Sequence, residues 1–329
     1  MPLLYWANRR FIAMPLFLFI FLFSIFTLSP VQAESTLRIG YQKSSTLLTI
    51  LKSQGLLEKT LNEQGVQVSW HEFSSGLPLL EALNLGNVDI SADVADTVPV
   101  FAQAAGAKLT YLALETPSPA AQAILVPEHS PLKSLAELKG KRIAVTKAAG
   151  SHFLLIAALA KANLSFKDIT PAYLTPADGR AALENGNVDA WVTWEPFVSS
   201  AIVQQKARVL ADGEGLASYQ RYYLASTDYA RQHPEILNII FQQLEKTGQW
   251  VKANPDQAAA LLGPQWGNLD SDTVKLANAN RTYQVRPVTQ QSLSEQQHIA
   301  DAFFNEGLLP NHINALDVAI WHPTTGQSQ

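Results

Sequence analysis

Two short loops carry the residue types best suited to binding chemistry: Gln42-Lys43-Ser44-Ser45-Thr46 and Thr146-Lys147-Ala148-Ala149-Gly150-Ser151-His152. Each follows a short apolar strand and runs into an apolar helix. A helix start offers unpaired backbone N–H groups and the positive end of the macrodipole, which together attract an anion. Ser44, Ser45 and Ser151 add hydroxyls, Gly150 lets backbone approach a guest, and His152 is placed to act as a donor. Capping by serine would explain either loop alone; two loops in corresponding places point to a pair of anion sites. Lys43 and Lys147 are read as solvated and are not assigned to a ligand.

Further candidates lie at other strand ends. Ser75, in Ser74-Ser75-Gly76, is read as a helix cap, and Thr97 as a hydroxyl donor. Asp93 and Asp96 repel an anion unless they point at backbone N–H groups; capping is expected for one, and the other is left open. Strand alternation puts Trp191 and Thr193 on one face and Trp194 on the other. One tryptophan is then core, and the other walls an apolar tail or offers its indole N–H to an oxyanion. Glu195 either binds a cationic ligand group or begins the next helix.

Catalytic patterns are missing from the sequence. It contains no His-Glu-x-x-His, no Gly-x-Ser-x-Gly, no Gly-rich dinucleotide or Walker motif and no cysteine, and its 7 histidines are scattered. No cofactor or metal is expected.

The elements that position these loops repeat. Ala82-Leu83-Asn84-Leu85-Gly86-Asn87-Val88-Asp89 recurs one hundred positions on as Ala182-Leu183-Glu184-Asn185-Gly186-Asn187-Val188-Asp189. Upstream, the strand beginning Arg38-Ile39 has its counterpart in Arg142-Ile143. Two related α/β lobes facing each other across a cleft are therefore expected, each a strand–helix–strand alternation with a parallel sheet. Ser134-Leu135-Ala136-Glu137 reads as a capping box with Gly140 as the stop, and Thr175 caps a helix with Pro176 in its first turn. Strands are expected at Val88–Ser91, Lys141–Val145 and Val188–Thr193. Crossings between lobes are expected within 112–126 and near 221–225, followed by helices over 233–253, 256–262, 271–283 and 292–304 that return to the first lobe.

Arg9 and Arg10 precede an uncharged run from Phe11 to Leu28, and Val31-Gln32-Ala33 supplies a small-residue cleavage site. This is the pattern of an export signal; Pro15 interrupts the run, which argues against a retained anchor. Removing residues 1–33 takes away two arginines and no acids, so the net charge moves from −4 to −6. A mildly acidic chain without a basic stripe does not suit nucleic acid. Without cysteine there is neither disulfide nor lipid-bearing N-terminus, so a soluble periplasmic protein is expected.

The ordered set of segments resembles the periplasmic aliphatic sulfonate-binding proteins of ABC importers. It comprises Ile39-Gly40-Tyr41-Gln42-Lys43, Phe101-Ala102-Gln103-Ala104-Ala105-Gly106, Leu135-Ala136-Glu137-Leu138-Lys139-Gly140, Tyr173-Leu174-Thr175-Pro176-Ala177-Asp178, Gly186-Asn187-Val188-Asp189-Ala190-Trp191 and Ile320-Trp321-His322-Pro323. The resemblance implies a two-lobed type II binding-protein fold with a two-crossing hinge. It implies an alkanesulfonate as ligand, an ABC permease with its ATPase as partners, and a role in sulfur acquisition; a monomer is expected. The boundaries expected are a signal peptide over 1–33, a first lobe over 34–122 and 224–329, and a second over 123–223. It places the pocket on Gln42, Ser44, Ser45, Gly150, Ser151, His152 and Trp191; Thr97 and Glu195 join from the residue-level reading. The chain departs from the family at Asp93-Val94-Ala95-Asp96-Thr97-Val98-Pro99, where many relatives have a shorter loop. Taurine, nitrate, bicarbonate or a pyrimidine precursor are the alternative ligands. An exported cleft enzyme or a thiamin-precursor synthase is the alternative of another class.

Overall fold

The computed structural model describes residues 35–324, so the expected export signal lies outside the described residues. The chain opens β1 (Ser35–Gln42), α1 (Leu47–Gln54), α2 (Leu56–Asn62), β2 (Val66–Phe73), α3 (Gly76–Asn84), β3 (Ile90–Ala95), α4 (Thr97–Ala104) and β4 (Leu109–Glu115). It continues through β5 (Gln122–Val126), β6 (Arg142–Val145), α5 (Gly150–Lys161), β7 (Thr170–Tyr173), α6 (Pro176–Glu184), β8 (Ala190–Trp194), α7 (Phe197–Gln205) and β9 (Arg208–Asp212). The last third holds β10 (Arg221–Ser226), α8 (Thr227–Gln232), α9 (Pro234–Ala253), α10 (Pro255–Gln265), α11 (Ser271–Ala279), β11 (Val285–Arg286), α12 (Ser294–Asn305) and β12 (Ala319–Ile320).

The strands form two sheets. One has the order β11-β4-β10-β3-β1-β2, with β12 added on β4, and the other the order β7-β6-β8-β5-β9. Strands joined through a helix are parallel as expected: β1 with β2 and β3, and β6 with β7 and β8. The expectation of wholly parallel sheets fails at β10, antiparallel to β3 and β4, and at β5, antiparallel to β8 and β9. Both are entered directly from the other sheet without a covering helix, so the crossover rule that keeps βαβ strands parallel does not bind them. For the same reason residues 221–226 are a central strand of the first sheet, and the crossing ends just before them.

The central strands of each sheet are buried on both faces, which makes them nearly continuous apolar runs, while the edge strands β2, β7 and β9 stay partly exposed. Leu48, Ile50, Leu237, Ile240 and Leu262 of α1, α9 and α10 cover one side of the first sheet; Leu79, Leu83 and Val98 of α3 and α4 cover the other. On the second sheet, α5 lies on one face, and Leu183, Val198 and Ala201 of α6 and α7 lie on the other. The returning helices do not cover the first sheet alone. Ile299, Ala300 and Phe303 of α12 pack with Phe153 and Leu154 of α5 in the second sheet's core.

Local signals act as their chemistry requires. Thr175 Oγ1 accepts from Asp178 N with Pro176 at the first helical position. The box at Ser134 and Glu137 forms, but it starts a 3₁₀ turn over Leu135–Leu138 rather than an α-helix. Only five residues separate cap and stop, too few to offset helix nucleation.

Candidate functional site

The strand ends of both sheets converge on one small cavity of about 10 Å³, lined by Gln42, Gly76, Ala95, Val98, Ala149, Gly150, Trp194, Tyr219 and Arg221. Two helices begin there, α3 at Gly76 and α5 at Gly150, and neither has a side-chain cap. Ser75 therefore does not act as the cap expected of it. The missing caps leave helix-start N–H groups from opposite sides of the cleft available to an anion. Gly150 is required by close approach: a Cβ there would stand 2.5 Å from Tyr219 Cε2 and 3.0 Å from Ala95 Cβ.

The floor is ionic. Arg221 and Arg281 both reach Asp93 Oδ2, at 2.7 and 3.0 Å, and Arg281 also binds Glu115 Oε2 at 2.5 Å. All four are buried. Burial works most strongly against the Arg221 charge, and Asp93, Tyr219 and Glu115 together more than restore it, so its pKa is raised. Two cations balance two anions, yet Arg221 lines the cavity and Asp93 does not. Arg221 also donates to Tyr219 Oη at 2.6 Å, fixing the ring that packs on Gly150.

Of the residues expected from sequence, Gln42 and Gly150 line the cavity. Gln42 Nε2 donates to Asp93 O at 2.9 Å, and Ser45 Oγ accepts from Gln42 N at 3.2 Å, so Ser45 shapes the loop. Ser44 Oγ accepts from Trp194 Nε1 at 3.1 Å, and Thr97 Oγ1 donates to Ala148 O at 2.8 Å; both bonds join the two lobes. Ser151 Oγ is buried beside the α5 start without a hydrogen-bond partner among the described residues. Glu195 accepts from Ser199 N, Ser199 Oγ and Asn280 Nδ2, which makes it a helix brace and an inter-lobe tie.

Two expectations are corrected. Trp191 is not at the cleft: it packs with Leu183 and Val198 behind the sheet, so close to Gly179 that a Cβ there would lie 2.6 Å from its Nε1. Trp194, on the opposite face of the same strand, is the cleft tryptophan. His152 is not a donor to the cleft. Its Nδ1 accepts from Ala148 N at 3.2 Å, and its ring sits 4.9 Å from Phe303 and 5.1 Å from Phe166. Burial, with a smaller contribution from Lys147, pushes its pKa down to about 3, so it is neutral in ordinary buffers.

The two aspartates left open have separate tasks. Asp96 caps α4 through Thr97 N and ties in Gln220 N, while burial raises its pKa to about 7; Asp93 holds the arginines. Gly76, Tyr219 and Arg221 were not identified from sequence. Only Arg221 left a signal, a charged residue heading the otherwise apolar run Tyr222-Tyr223-Leu224-Ala225. Among the described residues there is no cluster of His, Cys, Asp and Glu able to hold a metal, and no helix is long and apolar enough to cross a membrane.

Comparison with known proteins gives a consistent result. The family described as NMT1/THI5 like matches residues 61–258. A protein of Escherichia coli (strain K12), provisionally named for binding aliphatic sulfonates, is 39% identical over 301 residues, covering 92% of this chain and 93% of that one. The structure of the alkanesulfonate-binding protein SsuA from Xanthomonas axonopodis pv. citri bound to MOPS is 39% identical, with a TM-score of 0.82 over 87% of this chain and 98% of that one. The desulfurization enzyme DSZB shares the fold at a TM-score of 0.62 and 16% identity. The fold by itself therefore does not separate receptors from enzymes.

Proposed function

Because the chain belongs to the NMT1/THI5-like family and, within it, to the aliphatic sulfonate-binding proteins, we propose that it captures an alkanesulfonate between its lobes in the periplasm. It then presents the closed, loaded form to an ABC permease and its ATPase, and performs no catalysis itself. The observation that carries this reading is the meeting of two uncapped helix starts, α3 and α5, at a cavity edged by the Trp194 indole and the Arg221 guanidinium. A sulfonate carries no proton at neutral pH and wants donors only, and these groups are all donors.

The carboxylates nearest the cleft favour this ligand over taurine. Of the carboxylates that could take its ammonium, Glu195 and Asp96 are held by hydrogen bonds from Ser199, Asn280, Thr97 and Gln220, and Glu72 shares its chamber with the cations Lys43 and Arg180. A cavity of about 10 Å³ holds roughly one water, so a sulfonate enters only when the lobes part. Opening breaks the Trp194–Ser44 and Thr97–Ala148 bonds and moves the lobes about the crossings at 116–121 and 213–220.

The test is calorimetric titration of the mature protein with ethanesulfonate, longer alkanesulfonates, taurine, nitrate and sulfate. Binding of nitrate or sulfate alone would overturn the reading. Ser151→Ala is expected to weaken sulfonate binding by about 5- to 30-fold, equivalent to ~1–2 kcal/mol for a lost bond to a charged group. The melting temperature of the empty protein should hardly move, since Ser151 Oγ has no partner to lose. A large loss of apo stability would instead make Ser151 structural.

A further inference from the structure

Beside the small cavity lies a chamber of about 360 Å³, within the size range of small-molecule sites. Its walls come from both lobes: Phe73 and Leu269 on one side, Pro176, Pro196 and Phe197 on the other. A hydrogen bond links the lining of the chamber to that of the cavity. Ser44 faces the chamber, Trp194 faces the cavity, and the two are hydrogen-bonded, with Phe197 edge-on to the Trp194 ring at 5.8 Å. A tail leaving a head group held at the helix starts therefore passes this gate into an apolar chamber.

The far wall is not apolar. Arg180, on α6, lines the chamber, and its guanidinium donates to Ser200 Oγ at 3.1 Å and Gln204 Oε1 at 2.8 Å. Both partners are neutral, and no carboxylate pairs with Arg180 among the described residues. Lys43 stands on the rim of the same chamber against one carboxylate, Glu72. The balance in the chamber is positive. A planar guanidinium held by neutral acceptors keeps its capacity to bind a carboxylate or sulfonate at closer range than they can offer charge.

We propose that this chamber selects sulfonates whose far end carries a second anionic group, with Arg180 as the specificity-determining residue. The inference rests on the sulfonate reading of the cleft and deepens it: the preferred ligands are ω-carboxy- or ω-sulfo-alkanesulfonates rather than simple alkanesulfonates. The same charge balance disfavours tails that end in an ammonium.

The test is calorimetry with matched pairs of three to six carbons, methyl-ended against carboxylate-ended; butanesulfonate and 4-sulfobutanoate are one such pair. At the best-fitting length the carboxylate-ended ligand is expected to bind about fivefold tighter or more, as for a partly exposed charge-assisted pair. Arg180→Met should reduce the ratio to about one, and Arg180→Lys should retain part of it. On the unmodified protein, raising salt from low ionic strength to ~0.5 M should shrink the ratio, a readout that needs no variant. Equal affinities at every length, a ratio unmoved by salt, or a preference surviving Arg180→Met in a folded protein would each overturn the proposal. If neither member of any pair bound the unmodified protein, the sulfonate reading would fall instead.

Discussion

At their back ends the two halves of the molecule are nearly superimposable in bonding; at the cleft they are not. Asp89 Oδ2 accepts from Arg38 N at 2.8 Å and Asp189 Oδ2 accepts from Arg142 N at 2.8 Å, each aspartate returning its own N–H to the arginine carbonyl at 2.8 Å. Gly86 and Gly186 close the preceding helices at φ 72 and 70, with Asn87 and Asn187 bonding back to Ala82 and Ala182. The repeated octapeptide is thus a joint that stops a helix in the left-handed conformation and pins the next strand to the first. At the opposite ends, the Ser44 and Ser45 hydroxyls are hydrogen-bonded while that of Ser151 is not, and the residue matching Gln42 in the second lobe is Thr146, which does not line the cavity. Residues that keep the scaffold together repeat; residues that face the cleft have diverged.

That contrast can be broken most severely at Gly150. A valine there cannot clear the Tyr219 ring, so closure fails and sulfonate affinity is expected to fall about a hundredfold, ~2.7 kcal/mol. Titration calorimetry checks this, and near-normal affinity would show that the lobes close some other way. A gentler perturbation is Trp194→Phe, which removes the bond to Ser44 but keeps an aromatic wall. It should weaken binding by about fivefold, near 1 kcal/mol, chiefly through faster release in stopped-flow measurements. The smallest effect belongs to the back ends: Gly86→Ala and Gly186→Ala should each cost about 1 kcal/mol of unfolding free energy in urea titrations and leave affinity untouched. A loss of affinity from either would mean that the joints also govern the cleft.

The readable parts of this design share one property: their signal is local. The caps at Thr175 and Ser134, the stop glycines and the helix from Pro234 to Ala253 follow from residues within a turn or two of each other. Strand bounds were less accurate. The strand expected at Val88–Ser91 runs instead over Ile90–Ala95, because Val88 and Asp89 belong to the joint and apolar residues continue to the cleft. Gln42 and Gly150 could be identified as cavity residues since each sits where a strand turns into a helix, a position that is itself legible.

Alone, the sequence determined the duplicated architecture, the helix start at Gly150 and the absence of catalytic motifs, all of which depend on periodicity and short-range bonding; the start expected opposite it, that of α1 after Gln42–Thr46, gives way at the cavity to that of α3 at Gly76. Tertiary structure decided which tryptophan meets the cleft, that His152 faces Phe303 rather than a ligand, and that Arg221 and Arg281, 60 positions apart, share Asp93. Those outcomes depend on which face of a strand is covered by which helix and on where a returning segment lands. Such choices are made by packing between elements remote in the chain, and no window of neighbouring residues contains them.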